Sequence, residues 1–127
     1  VSLVAFRAKS SITAGDLVRV DSVGFLTKAS AVALDSSICV GVALNSASAT
    51  NLVLVNKDSI YAEFSGLNPG TRTYLSLTSG QLYADYATFY NALSSTTLSG
   101  AYLTELGPAI STSGVHLEIQ QPVFINR

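Results

Sequence analysis

The stretch Ala14-Gly15-Asp16-Leu17-Val18-Arg19-Val20-Asp21-Ser22-Val23-Gly24-Phe25-Leu26 decides the fold class. Ala14-Gly15-Asp16 is a turn signal, Leu17 to Val20 a short β-prone run, and Asp21-Ser22-Val23-Gly24 the next turn. The rhythm continues through Asn45 to Asn51, Asn56-Lys57-Asp58, Asn68-Pro69-Gly70, Ser79-Gly80, Ser99-Gly100 and Ser111 to Gly114. Between these turns lie short apolar, aromatic and β-branched runs. They predict strands at Leu17–Val20, Ile38–Leu44, Leu52–Val55, Ile60–Phe64, Thr73–Leu77, Val115–Ile119 and Val123–Ile125. The continuous apolar run Ile38–Leu44 predicts a strand buried on both faces. Ala29 to Ser37 fits a loop or one helical turn. Tyr83 to Leu93 fits a loop or a short helix, because Tyr86, Phe89, Tyr90 and Leu93 fall at helical spacing.

The opening stretch also has a counterpart. Pro69-Gly70-Thr71, Tyr74-Leu75, Gly80-Gln81-Leu82, Leu106-Gly107-Pro108-Ala109-Ile110 and His116-Leu117-Glu118-Ile119 follow the order of Gly15, Gly24-Phe25-Leu26, Val40-Gly41-Val42-Ala43 and Leu52-Val53-Leu54-Val55. Gly15 to Gly70 is 55 positions, Gly24 to Gly80 is 56, and Gly41 to Gly107 is 66. The extra residues fall in the aromatic Tyr83–Leu93 region. Four short strands cannot cover their own apolar face, whereas two such units packed together can. The expectation is an all-β chain: a compact β-barrel or β-sandwich of short strands with the character of an internally duplicated unit. The reading divides it into an N-terminal arm (1–11), a β-rich domain (12–120, with halves at about 12–65 and 66–120) and a C-terminal tail (121–127). Frequent glycine turns also occur in unduplicated β proteins, so that alternative stays open at this point.

The chain has 127 residues with 7 basic and 8 acidic side chains, a formal charge of −1. It is 48% hydrophobic, too apolar for intrinsic disorder. No run of Lys or Arg supports an electrostatic nucleic-acid binder, so no nucleic-acid partner is expected. No apolar stretch approaches the roughly 20 residues of a spanning helix, so no membrane partner is expected either. Val1 to Ser10 lacks the long apolar core of an export signal and reads as a short arm or first strand. Charged residues make up 12%, about half the usual share for a soluble domain. Either hydroxyls of Ser and Thr carry the surface, or much of the surface is docked in an oligomer or lattice.

Chemistry-bearing residues are sparse. Asp16, Asp21, Asp35, Asp58, Asp85, Glu63, Glu105 and Glu118 are scattered, mostly at turns. Asp16, after a glycine at a strand entry, reads as a turn device. The one His, His116, sits in a predicted strand, and the one Cys, Cys39, in the most apolar run. Neither forms a recognisable triad, nucleophile elbow, phosphate loop or metal cluster. No enzyme activity and no cofactor or metal is expected. The aromatic cluster Tyr83, Tyr86, Phe89 and Tyr90 suits core packing or an interface.

The runs Ala14–Val18, Gly24-Phe25-Leu26-Thr27-Lys28-Ala29, Val40–Ala43 and Phe64-Ser65-Gly66-Leu67-Asn68-Pro69-Gly70-Thr71-Arg72-Thr73-Tyr74-Leu75-Ser76, with Gly80-Gln81-Leu82 and Leu106–Ile110, resemble a small β-rich module of tailed-bacteriophage virion proteins. The module occurs in capsid decoration (cement) proteins and in tail- and head-fibre proteins. The resemblance covers roughly residues 12–120. Pro108 and the long Tyr83–Leu93 segment depart from the usual pattern. The resemblance implies a non-enzymatic virion component, often a homotrimer, held on the outer capsid surface against the major capsid protein. A tail or fibre component is the alternative, and a carbohydrate-binding β module a further one. Near-neutral charge suits the outer face better than the face towards packaged genome. The interface candidates are Val1, Leu3 and Phe6 at the start, Tyr83, Tyr86, Phe89 and Tyr90 in the aromatic segment, and Val123, Phe124, Ile125 and Arg127 at the end.

Overall fold

The computed structural model describes residues 3–127. Its strands are β1 (Leu3–Arg7), β2 (Leu17–Val20), β3 (Leu26–Lys28), β4 (Gly41–Ala43), β5 (Leu52–Asn56), β6 (Ile60–Tyr61), β7 (Arg72–Leu75), β8 (Leu82–Tyr83), β9 (Gly100–Leu103), β10 (Glu105–Pro108), β11 (Val115–His116) and β12 (Val123–Asn126). One helix, α1 (Tyr86–Ser94), lies between β8 and β9, and a short 3-10 turn spans Asp35–Ser37. The described residues are all-β, with several antiparallel sheets and no closed barrel among them.

The first sheet has the order β1-β5-β4-β2-β3. In the second half, β10-β7-β8 form one ladder and β11-β6 another. The bridge from Ala109 to Val115 and the N–H of Glu118, which donates to the Leu106 carbonyl at 2.9 Å, tie β11 to β10. The second half therefore runs β6-β11-β10-β7-β8, the same permutation as the first. The glycines keep step with it. Gly15 and Gly70 stand two residues before β2 and β7, at φ +94° and +85°, where a side chain would be strained. Gly24 and Gly80 stand two residues before β3 and β8, and Gly41 and Gly107 lie inside β4 and β10. What distinguishes the halves is an insertion, α1 with β9, onto which β12 folds back.

Three apolar clusters fill the interior. Leu17, Ala29 and Val42 of the first half meet Leu75, Leu106, Val115 and Leu117 of the second in a shared core. Ala8, Ile12, Val18, Leu26, Val53 and Val55 form a core under the first sheet. Phe89 and Leu93 of α1 close on Ala31 and Ala101.

Several expectations are corrected. Of the run Ile38–Leu44, only Gly41–Ala43 forms a buried strand, while Ile38 and Leu44 face solvent. A sheet covered on one side cannot hide seven consecutive residues. The strand predicted at Ile60–Phe64 stops at Tyr61, and the one at Val115–Ile119 stops at His116. At the two ends, the first-strand alternative holds for the start of the chain and the strand expected at Val123–Ile125 is present. Leu3–Arg7 pairs with Leu52–Asn56 of β5, Ala8 is a core residue, and Val123–Asn126 pairs with β9. The segment Tyr83–Leu93 takes the helical alternative from Tyr86 onward.

Candidate functional site

The first sheet offers the clearest unpartnered surface. On β1, Val4 and Phe6 turn inward to Val55 and Val53 of β5, so Leu3, Ala5 and Arg7 turn outward. Ala5 stands opposite Leu54 and Arg7 opposite Leu52. Leu44 continues the row, its N–H donating to the Leu54 carbonyl at 2.8 Å. Leu3, Leu44, Leu52 and Leu54 are 51, 37, 55 and 46% exposed. Just past β4, the Asn45 side chain replaces the missing strand. Its Oδ1 accepts the Leu54 N–H at 2.8 Å and its Nδ2 donates to the Leu52 carbonyl at 3.1 Å. At the far end the Arg7 guanidinium donates to the Thr50 carbonyl at 2.9 Å. β1 is the edge strand, so among the described residues one side of its Leu3–Arg7 backbone has no strand partner within the sheet.

The other expected interface residues divide. Val1 lies outside the described residues. Leu3 is outward and Phe6 half-buried against the core of the first sheet. Tyr86 and Tyr90 are outward on α1, stacked at 6.3 Å. Phe89, expected at an interface, is fully buried, because α1 turns it with Leu93 onto Ala31 and Ala101. Tyr83 is half-buried, its ring edge-on to Phe89 at 6.2 Å. Val123 and Phe124 are exposed, with Phe124 edge-on to Tyr102 at 5.2 Å. Ile125 packs against the same core as Phe89. Arg127 is exposed but tied to its own chain. Its N–H donates to the Ser99 carbonyl at 2.9 Å and its guanidinium to the Thr96 carbonyl. The structure thus gathers Tyr83, Phe89 and Ile125 around one core and leaves Leu3 on another sheet.

Leu44, Leu52 and Leu54 escaped the sequence reading. Leu52-Val53-Leu54-Val55 is apolar throughout, so alternation could not say which two side chains face out. Only the pairing with β1 and the Asn45 contacts settle it.

The polar groups mostly serve the backbone or one another. Asp16 Oδ2 accepts the Thr13 N–H at 2.8 Å and lies 3.7 Å from Lys28 Nζ. His116 is exposed, with Nδ1 3.9 Å from Glu118 Oε1. Burial pushes the Cys39 thiol up to about 12, and its Sγ donates to the Gly41 carbonyl at 3.6 Å. A thiol held protonated this way is a poor nucleophile at neutral pH. Among the described residues, no three of His, Cys, Asp and Glu are grouped to hold a metal ion. The chain matches no protein-family model and no curated protein.

Proposed function

We propose that this protein is a bacteriophage capsid decoration protein, a non-enzymatic virion component that binds the outer surface of the assembled head as a homotrimer. The observation that carries the reading is the row Leu3, Leu44, Leu52 and Leu54 beside an open strand edge, in a chain with only 12% charged residues. Such a row is costly on a free monomer and useful against a partner. The module resemblance supplies the partner, the major capsid protein. A protein that binds the assembled shell and not its free subunits stabilises the shell by linkage, and many copies let each contact be modest.

The test compares particles with and without the protein, and particles given Leu54→Asp protein. Heat-driven genome release should move to lower temperature without the protein. Leu54→Asp should stay folded yet fail to attach, because a desolvated carboxylate has no place in an apolar contact. Unchanged particle stability overturns the reading. Only a few copies at one vertex would instead indicate a tail or fibre component.

A further inference from the structure

The outward face of the second half carries a different chemistry. On β7, Thr73 and Leu75 are buried, so Arg72 and Tyr74 point out. Glu105 of β10 is the register partner of Tyr74 and accepts a hydrogen bond from the Arg72 guanidinium. The Gln120 N–H donates to the Glu105 carbonyl at 2.9 Å, bringing the segment after β11 alongside. Arg72, Glu105, Glu118 and Gln120 line an open concavity of about 460 Å³. Tyr74 extends it. Its ring lies 6.1 Å from that of Tyr86, edge-on at 75°, and Tyr86 lies 6.3 Å from Tyr90 at 28°. Tyr86 and Tyr90, one helical turn apart, are 42 and 39% exposed.

We propose that this polar cleft and tyrosine row form a binding site for a neutral oligosaccharide. A pyranose has an apolar C–H face and a rim of hydroxyls. Exposed tyrosine rings match the face, and a guanidinium, carboxylates and an amide match paired hydroxyls that both donate and accept. Two carboxylates against one guanidinium leave the cleft with excess negative charge, which disfavours acidic sugars and phosphate-bearing ligands. The cleft is shallow and polar, without the dry pocket that anchors a protein partner. The site is separate from the leucine row and goes beyond the capsid reading.

The test titrates the whole protein with cellotetraose, chitotetraose and maltotetraose, following backbone amide shifts by NMR. One sugar should give saturable shifts concentrated at residues 72–74, 86–90 and 105. Tyr90→Ala should weaken that binding about tenfold, equivalent to about 1.4 kcal/mol. Tyr90→Phe, which keeps the ring, should stay within about twofold. Glu105→Gln should weaken binding several-fold while the amide spectrum stays dispersed. Absence of saturable shifts with all three sugars at millimolar concentration overturns the proposal. So does binding that Tyr90→Ala leaves unchanged. Loss of particle attachment in Tyr90→Ala and Glu105→Gln, with no sugar bound by the parent protein, makes the surface a protein interface and also overturns it.

Discussion

Phe89 and Tyr90 are neighbours in sequence and opposites in consequence. Phe89 has no exposed surface, and its ring fills the space between Ala31, Leu93 and Ala101. Phe89→Ala should therefore cost about 3–5 kcal/mol, from lost transfer energy and a residual cavity. Tyr90 is 39% exposed and stacks on Tyr86. Tyr90→Ala should cost less than about 1 kcal/mol. Urea unfolding of both variants reads the contrast directly. The sequence spaced Phe89 and Tyr90 equally well for a helix, but did not rank them. The ranking comes from Ala31 and Ala101, whose small side chains leave room for a ring; Ala31 lies 58 positions away along the chain and Ala101 12. Gly107 illustrates the same limit. Its repeat position was legible, but its close approach was not. A Cβ there would strike the His116 carbonyl oxygen, and its φ of +134° already excludes most residues.

The helix itself depends on its first residue outside. Asp85 is the N-cap, and its Oδ1 accepts the Thr88 N–H at 2.8 Å. Hydrogen bonds from Thr88, through its side chain first and its backbone second, hold the Asp85 carboxyl below its ordinary 3.8. A depressed folded-state value means the cap's contribution is complete above 3.8 and is lost as pH falls through the lower, folded-state value. Asp85→Ala should cost about 1 kcal/mol at neutral pH. The stability gap between parent and variant should hold through mildly acidic pH and close in stronger acid, as read by denaturant titrations over a pH series. At this scale the sequence was informative wherever turns bounded an element. Glycines marked the entries to β2, β3, β7 and β8 because each entry follows a positive φ. It was uninformative where pairing decides. β6 and β11 hold only two residues each and pair with one another, so neither carries a run long enough to show alternation.

As a whole, the molecule is two copies of one strand order that cannot be pulled apart. The shared core draws on both halves, and backbone bonds cross between them. The Leu17 N–H donates to Gly80 at 3.0 Å, the Ala31 N–H to Ser76 at 2.9 Å, and the Gly80 N–H to Ala29 at 2.8 Å. The whole chain should unfold in one transition, with far-ultraviolet dichroism and tyrosine fluorescence coincident. Residues 12–65 expressed alone should lack a cooperative transition, because their face of the shared core would be bare. Two separate transitions in the whole chain would contradict this. The strand order also has a kinetic side. β1 is made first, but its pairing partner begins at Leu52, beyond three intervening strands. Closing so long a loop is entropically slow, so the nearer hairpin of β2 and β3 has the head start. Until β1 arrives, β5 is the exposed edge of the growing sheet. The outer strand of the leucine row is thus the latecomer to its own sheet, and a nascent chain that stalls at this point presents β5 to any passing strand, including the β1 of a sister chain.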